Sequence, residues 1–264
     1  MTIHSFGCSF VKGIGTNLKV ENTLEKEELR KYREENSFTG QLSKLLNVDY
    51  RNSGKTGSNV NYLIDSINFE ISNSNIKEGD LVIACFTSPL RNSPTFFPQL
   101  FKHRTPNGLF GLSFGINELD DIKANYPTLT QEEASFRNTL LDYRRTFITK
   151  YFDYSHSFDY YSQNTIFLLQ YVLDYYKINH IFIDAFDTFV TNDIYDKTEH
   201  IDKSKYWNYQ KQSIWSYLKS FKDDSLLEDK SLSEVIQNGK LHPSTKGNKI
   251  IAEELYKFYK ANYE

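Results

Sequence analysis

Leu81-Val82-Ile83-Ala84-Cys85-Phe86 is an unbroken apolar run opened by Gly79-Asp80. A run of this kind fits a central parallel strand covered on both faces, because neither face needs a polar residue for solvent. Working outward, shorter apolar stretches at 3–6, 48–52 and 180–185 read as the first, second and fourth strands. Between and after them the apolar spacing changes to that of helices. Ser37 is a plausible N-cap for a helix carrying Phe38, Leu42, Leu45 and Leu46, and Val60, Leu63, Ile64 and Ile67 share one face over 59–71. Residues 131–177 read as two helices, the second holding Ile166, Leu169, Val172 and Leu173; further helices are expected over 204–221 and 244–259. Strands alternating with helices imply an α/β fold in three layers, a parallel sheet of about five strands with helices on both faces.

The chain of 264 residues fits one domain spanning 1–264, long enough to bury a core without disulfide or metal support. Two insertions interrupt the pattern. Residues 17–36 are densely charged and read as a solvated, partly helical excursion. Residues 88–128 hold five of the six prolines and little periodicity, with Phe96, Phe97, Phe101, Phe110 and Phe114 among them. A stretch so long and irregular points to a substrate-contacting element beside the site.

A net charge of −3 gives no electrostatic footprint for nucleic acid. Cys8 and Cys85 have no metal-ligand spacing and read as buried, reduced thiols, and the six histidines form no ligand run, so neither metal nor cofactor is implied. The opening MTIHSFGCSF lacks the basic and apolar regions of a signal peptide, and no stretch approaches about 20 apolar residues. A cytoplasmic protein with no membrane partner is the expectation.

Three loops should gather at the carboxyl edge of the sheet, where open α/β sheets bind ligands. Gly7-Cys8-Ser9-Phe10 leaves the first strand in a tight turn that presents the Ser9 hydroxyl above the sheet. Position 11 is Val, so this is not the Gly-x-Ser-x-Gly elbow. Asn52-Ser53-Gly54-Lys55-Thr56-Gly57 follows the second strand, its glycines allowing close backbone approach and its spacing excluding a nucleotide P-loop. Leu241-His242-Pro243-Ser244 stands just before the last helix, where Pro243 makes a rigid corner and Ser244 can cap.

Taken in order, these loops resemble the blocks of the SGNH (GDSL-like) hydrolase family. The resemblance covers both ends of the chain and the early sheet but not the middle insertion. It implies a flavodoxin-like strand order, Ser9 as nucleophile, His242 as general base, and the N–H groups of Ser9 and Gly57 as oxyanion-hole donors. Two positions depart from the family pattern. Ser88 stands where the family has an oxyanion-binding Asn, with Thr87, Asn92 or Arg91 as possible substitutes. Gly239 stands where the triad Asp is expected, three residues before His242, which leaves a backbone carbonyl, Asp184 or Asp187 to orient the imidazole.

The activity so implied is serine-dependent hydrolysis of an ester, an O-acyl group on a glycan or other small molecule, through an acyl-enzyme and without a cofactor. An O-acyltransferase would use the same nucleophile. A catalytically weak or inactive binding module is the alternative motivated by Ser88 and Gly239.

Overall fold

The computed structural model describes residues 1–56, 58–87, 154–186, 201–228 and 242–264. Four parallel strands, β1 (Thr2–Gly7), β2 (Asp49–Gly54), β3 (Leu81–Phe86) and β4 (Asn179–Asp184), form a sheet in the order β2-β1-β3-β4. The register pairs Ile3 with Tyr50 and Leu81, Gly7 with Gly54, and Phe86 with Asp184. All six residues of β3 are buried, as its uniform apolarity requires of a strand with helices on both sides.

Side chains alternate across the sheet and split the core in two. Ile3, Leu81, Ile83, Cys85, Ile181 and Ile183 meet Phe38 and Leu42 of α4 (Phe38–Leu46) and Ile251 and Leu255 of a long C-terminal helix over 245–263. On the other face Phe6, Val82, Ala84, Phe86 and Phe182 meet Val60, Leu63 and Ile67 of α5 (Val60–Ser72), and Ile166, Leu169 and Leu173 of α6 (Tyr154–Tyr175). Each fully buried Ile, Leu or Phe contributes about 1.5–3 kcal/mol of apolar transfer energy, so this three-layer packing dominates the stability.

The order 2-1-3-4 is the flavodoxin-like one. After β1 the chain crosses through α1 (Ser9–Lys12), α2 (Leu18–Glu21), α3 (Lys26–Asn36) and α4 to β2, then returns past β1 to β3. The direction of winding therefore reverses between β1 and β3, the kind of switch point at which open α/β sheets bind ligands.

Several sequence expectations are corrected. The second strand, expected at 48–52, runs from Asp49 on through Ser53 to Gly54, because Gly54 pairs with Gly7. The helix expected over 204–221 is only α7 (Ile214–Ser220), capped by Ser213. Upstream of it, Asn208 and Gln210 take left-handed φ values of 54° and 57°, and the Trp207 N–H bonds to the Phe182 carbonyl at 2.9 Å. Tyr206 and Trp207 are thereby buried against β4, a tertiary demand that overrides helical spacing. Within the charged excursion α3 buries no residue, as expected, but Glu21 is only 3% exposed.

Four strands make up the sheet among the described residues; β5 (Leu227–Glu228) and β6 (His242–Pro243) form a separate antiparallel pair leading into α8 (Thr245–Tyr263). The insertion at 88–128 and the first helix expected within 131–177 lie outside the described residues.

Candidate active site

The turn after β1 is built on close approach. A Cβ at Gly7 would stand 2.7 Å from the Cys85 carbonyl oxygen and 2.8 Å from Val11 Cγ2, so only glycine lets the chain leave the sheet here. The Gly7 carbonyl accepts from the Lys55 N–H and the Ser58 hydroxyl, both at 2.9 Å, which ties the second loop beneath the first. Ser9 then opens α1, a single turn closed at Gly13 with φ 74°. Asn52 secures it from the side: its Nδ2 donates to the Val11 carbonyl at 2.6 Å while its Oδ1 accepts from Gly54 N–H at 2.9 Å. Gly54 is needed for this packing, since a Cβ there would meet Lys12 N at 2.4 Å.

His242 arrives from the far end of the chain. Its backbone pairs with Glu228, and its Nε2 lies 2.9 Å from Ser9 Oγ. Both residues are 5% exposed. Phe10 packs beside the imidazole at 5.5 Å between ring centres, with Phe186 against Phe10 at 4.4 Å. Behind His242, Ser244 Oγ caps α8 by accepting from Gly247 N–H at 3.1 Å and donates to the Ser225 carbonyl at 2.7 Å. Asn248 Nδ2 donates to the Pro243 and Ser244 carbonyls, and its Oδ1 accepts from Phe38 N–H, so the His-Pro corner is fixed to both α8 and α4.

Residues 13–17 pack against His242 and the start of α8. Gly15 has φ 79°, and a Cβ there would lie 2.8 Å from His242 Cβ. The Thr16 carbonyl accepts from Thr245 N–H at 2.7 Å and Oγ1 at 2.9 Å, and its hydroxyl donates to Glu21 Oε1 at 3.0 Å. Glu21 is held in turn by Arg33, whose Nε and Nη2 donate to Oε2 at 2.8 and 2.6 Å. Lys12 and Lys55 sit nearby; burial first, then Arg33 for Lys12 and Lys12 for Lys55, holds both amines below their usual range.

Of the residues singled out in the sequence, the structure brings Ser9 and His242 together. Asp184 lies at the end of β4 on the face of Phe182, where it accepts a hydrogen bond from Tyr206 Oη at 2.6 Å, so it is not joined to His242. Gly57, Ser88, Arg91, Asn92, Asp187 and Gly239 lie outside the described residues. Gly15, Thr16, Glu21, Arg33 and Asn248 were missed as site residues; the closely spaced Gly13 and Gly15 after Ser9 were the only signal for them. Cys8 and Cys85 are buried and not joined in a disulfide, and burial pushes the Cys85 thiol well up, which makes it unreactive. Among the described residues no three His, Cys, Asp or Glu side chains gather as a metal cluster, and no helix is long and apolar enough to cross a membrane.

No protein-family model matches the chain, and no curated protein does. Among solved structures, it is similar to a protein described as lipolytic, of the G-D-S-L family, from Desulfitobacterium hafniense DCB-2, at 13% identity and TM-score 0.39 over 97% of this chain and 98% of that one. A member of the lipolytic G-D-S-L family from Veillonella parvula DSM 2008 is similar at 11% identity and TM-score 0.44, over 98% of each chain. A carbohydrate esterase, whose active site is described as having divergent catalytic and non-catalytic binding functions, is similar at 12% identity and TM-score 0.41, over 99% of this chain and 69% of that one. The fold assignment rests on strand order and register.

Proposed function

We propose that the chain is a serine-dependent ester hydrolase whose substrate is an O-acylated glycan or other small O-acyl ester. The observation that carries this reading is the 2.9 Å contact between Ser9 Oγ and His242 Nε2, nearly closed to solvent at the carboxyl edge of the sheet. A neutral imidazole accepting from the Ser9 hydroxyl at that distance is arranged for general-base activation of a nucleophile. Ser9 Oγ attacks the ester carbonyl while its proton passes to His242. The Ser9 N–H, with Gly57 and Ser88 as the further donors, stabilises the oxyanion. Collapse expels the alcohol, which takes the proton from His242, and water activated by the same imidazole releases the acid. A backbone carbonyl or a carboxylate such as Asp187 orients His242, and Asn92 and Arg91 are auxiliary donors. The protein acts as a single cytoplasmic domain, with 88–128 contacting substrate.

The test is turnover of an aryl acetate. Ser9→Ala is expected to lower kcat/KM by at least about a hundredfold with an unchanged circular dichroism spectrum. Retention of wild-type turnover removes Ser9 as nucleophile. Gly239 and Ser88 favour a second reading, a binding module that holds an acylated glycan without cleaving it. Glycan binding by a protein that is inert towards esters supports that reading. Faster loss of the acyl group when a sugar acceptor is added, with acylated sugar as product, identifies an acyltransferase instead.

A further inference from the structure

Thr87 follows β3 directly, at the carboxyl edge of the sheet where its winding reverses. Cys85, two residues before Thr87, lies against Gly7, two residues before Ser9: a Cβ at Gly7 would stand 2.7 Å from the Cys85 carbonyl oxygen. Leu81, Ile83 and Cys85 face the α4/α8 side, the side that also holds Cys8 and Phe10. Thr87 is 3% exposed, and its buried Oγ1 has no hydrogen-bond partner among the described residues.

A buried hydroxyl left unpaired is uncommon, because it has given up water and gained nothing in return. Threonine at this position is therefore unexplained by folding; valine has the same shape and would remove the deficit. Thr87 thus follows the strand end that abuts the Ser9 turn, at the carboxyl edge of the sheet where the proposed reaction takes place.

We infer that Thr87 is a catalytic residue, its hydroxyl reserved for the substrate's carbonyl oxygen; this rests on the reading of Ser9 as nucleophile. As the Ser9 Oγ–carbon bond forms, the carbonyl π pair moves onto oxygen, and the Thr87 O–H donates a hydrogen bond to that oxyanion without transferring its proton. The donor becomes satisfied only when substrate is bound and is paired most strongly as negative charge develops, so it favours the transition state over the ground state.

Thr87→Val and Thr87→Ser test this through aryl acetate kinetics, fluorophosphonate labelling and thermal unfolding. Thr87→Val is expected to lower kcat by about a hundredfold with KM nearly constant, to slow labelling of Ser9 in parallel, and to leave Tm unchanged or raised. Thr87→Ser keeps the hydroxyl and is expected to retain labelling and turnover within about tenfold of wild type. Wild-type labelling and kcat in Thr87→Val overturn the inference while leaving Ser9 as nucleophile. So does a Thr87→Ser protein as inactive as Thr87→Val, which would make the methyl packing the essential feature. A wild-type protein that neither labels at Ser9 nor turns over overturns the reading of Ser9 and this inference with it.

Discussion

At the scale of single residues, Ser9 and His242 were legible because each marks a local boundary. A serine at a strand exit and a histidine before Pro243 are visible without knowing what they face. Gly15 was not legible, since its need for glycine arises only when residue 242 folds back onto it. It has φ 79°, and a Cβ would come within 2.8 Å of His242 Cβ. Gly15→Ala is expected to cost about 1–2 kcal/mol from the left-handed backbone alone. Moving His242 should also lower kcat/KM by more than that stability loss explains. Urea unfolding beside kinetics checks this: a variant with wild-type kcat/KM would show that Gly15 shapes the backbone without placing the imidazole.

At the scale of elements, a continuous apolar run predicted β3 well, since a strand buried on both faces has one compositional solution. The charged excursion was half legible. Its pattern gave α3 as a solvated helix, but could not reveal that Glu21 turns inward to meet Arg33, a pairing across two helices. The Glu21 side chain is 1% exposed, against 22% for Arg33. Arg33→Ala strands a buried carboxylate, and is expected to destabilise by about 3 kcal/mol. Arg30→Ala, which removes an exposed partner of Glu27 on the same helix, should cause no resolvable change. Equal urea midpoints for both variants would contradict the anchoring role of Glu21. The expected helix over 204–221 failed for a related reason: Tyr206 and Trp207 are recruited by β4, and spacing along the chain carries no record of that partner.

At the scale of the whole molecule, the α/β class followed from alternating patterns, whereas the strand order was implied only by the family resemblance. Nothing local in a parallel strand says which neighbour it pairs with. The amino edge of the sheet also holds two buried histidines with a shared consequence. Burial lowers the pKa of His4, with Asp80 and Glu70 opposing and Arg51 adding to the effect; burial likewise lowers that of His180, against the Ile178 carbonyl, Asp174 and Asp202 and with Lys205. The unfolded chain binds these protons as pH falls through 6.5, the unperturbed value, while the native state does not. Stability contributed by the neutral histidines is thus intact above that pH and declines below it, by at most about 1.4 kcal/mol per pH unit for each.

At more acid pH Asp80 adds to the decline. Burial raises its pKa, but the Thr2 and Lys77 N–H groups and His4 outweigh that and lower it, so its stabilisation is lost as pH falls through the lowered folded value. Urea unfolding at pH 7.5 and 5.5 should show the histidine-linked loss, reduced in His4→Gln. Equal stability at both pH values would contradict it.

The proposed hydrolysis depends above all on Ser9 being a nucleophile activated by His242, and mass spectrometry of the native protein after fluorophosphonate treatment measures that directly. The expected result is a single adduct on the peptide containing Ser9, absent from Ser9→Ala and formed at least about a hundredfold more slowly in His242→Ala. No adduct at Ser9, or an adduct that forms equally fast without the imidazole, would contradict it.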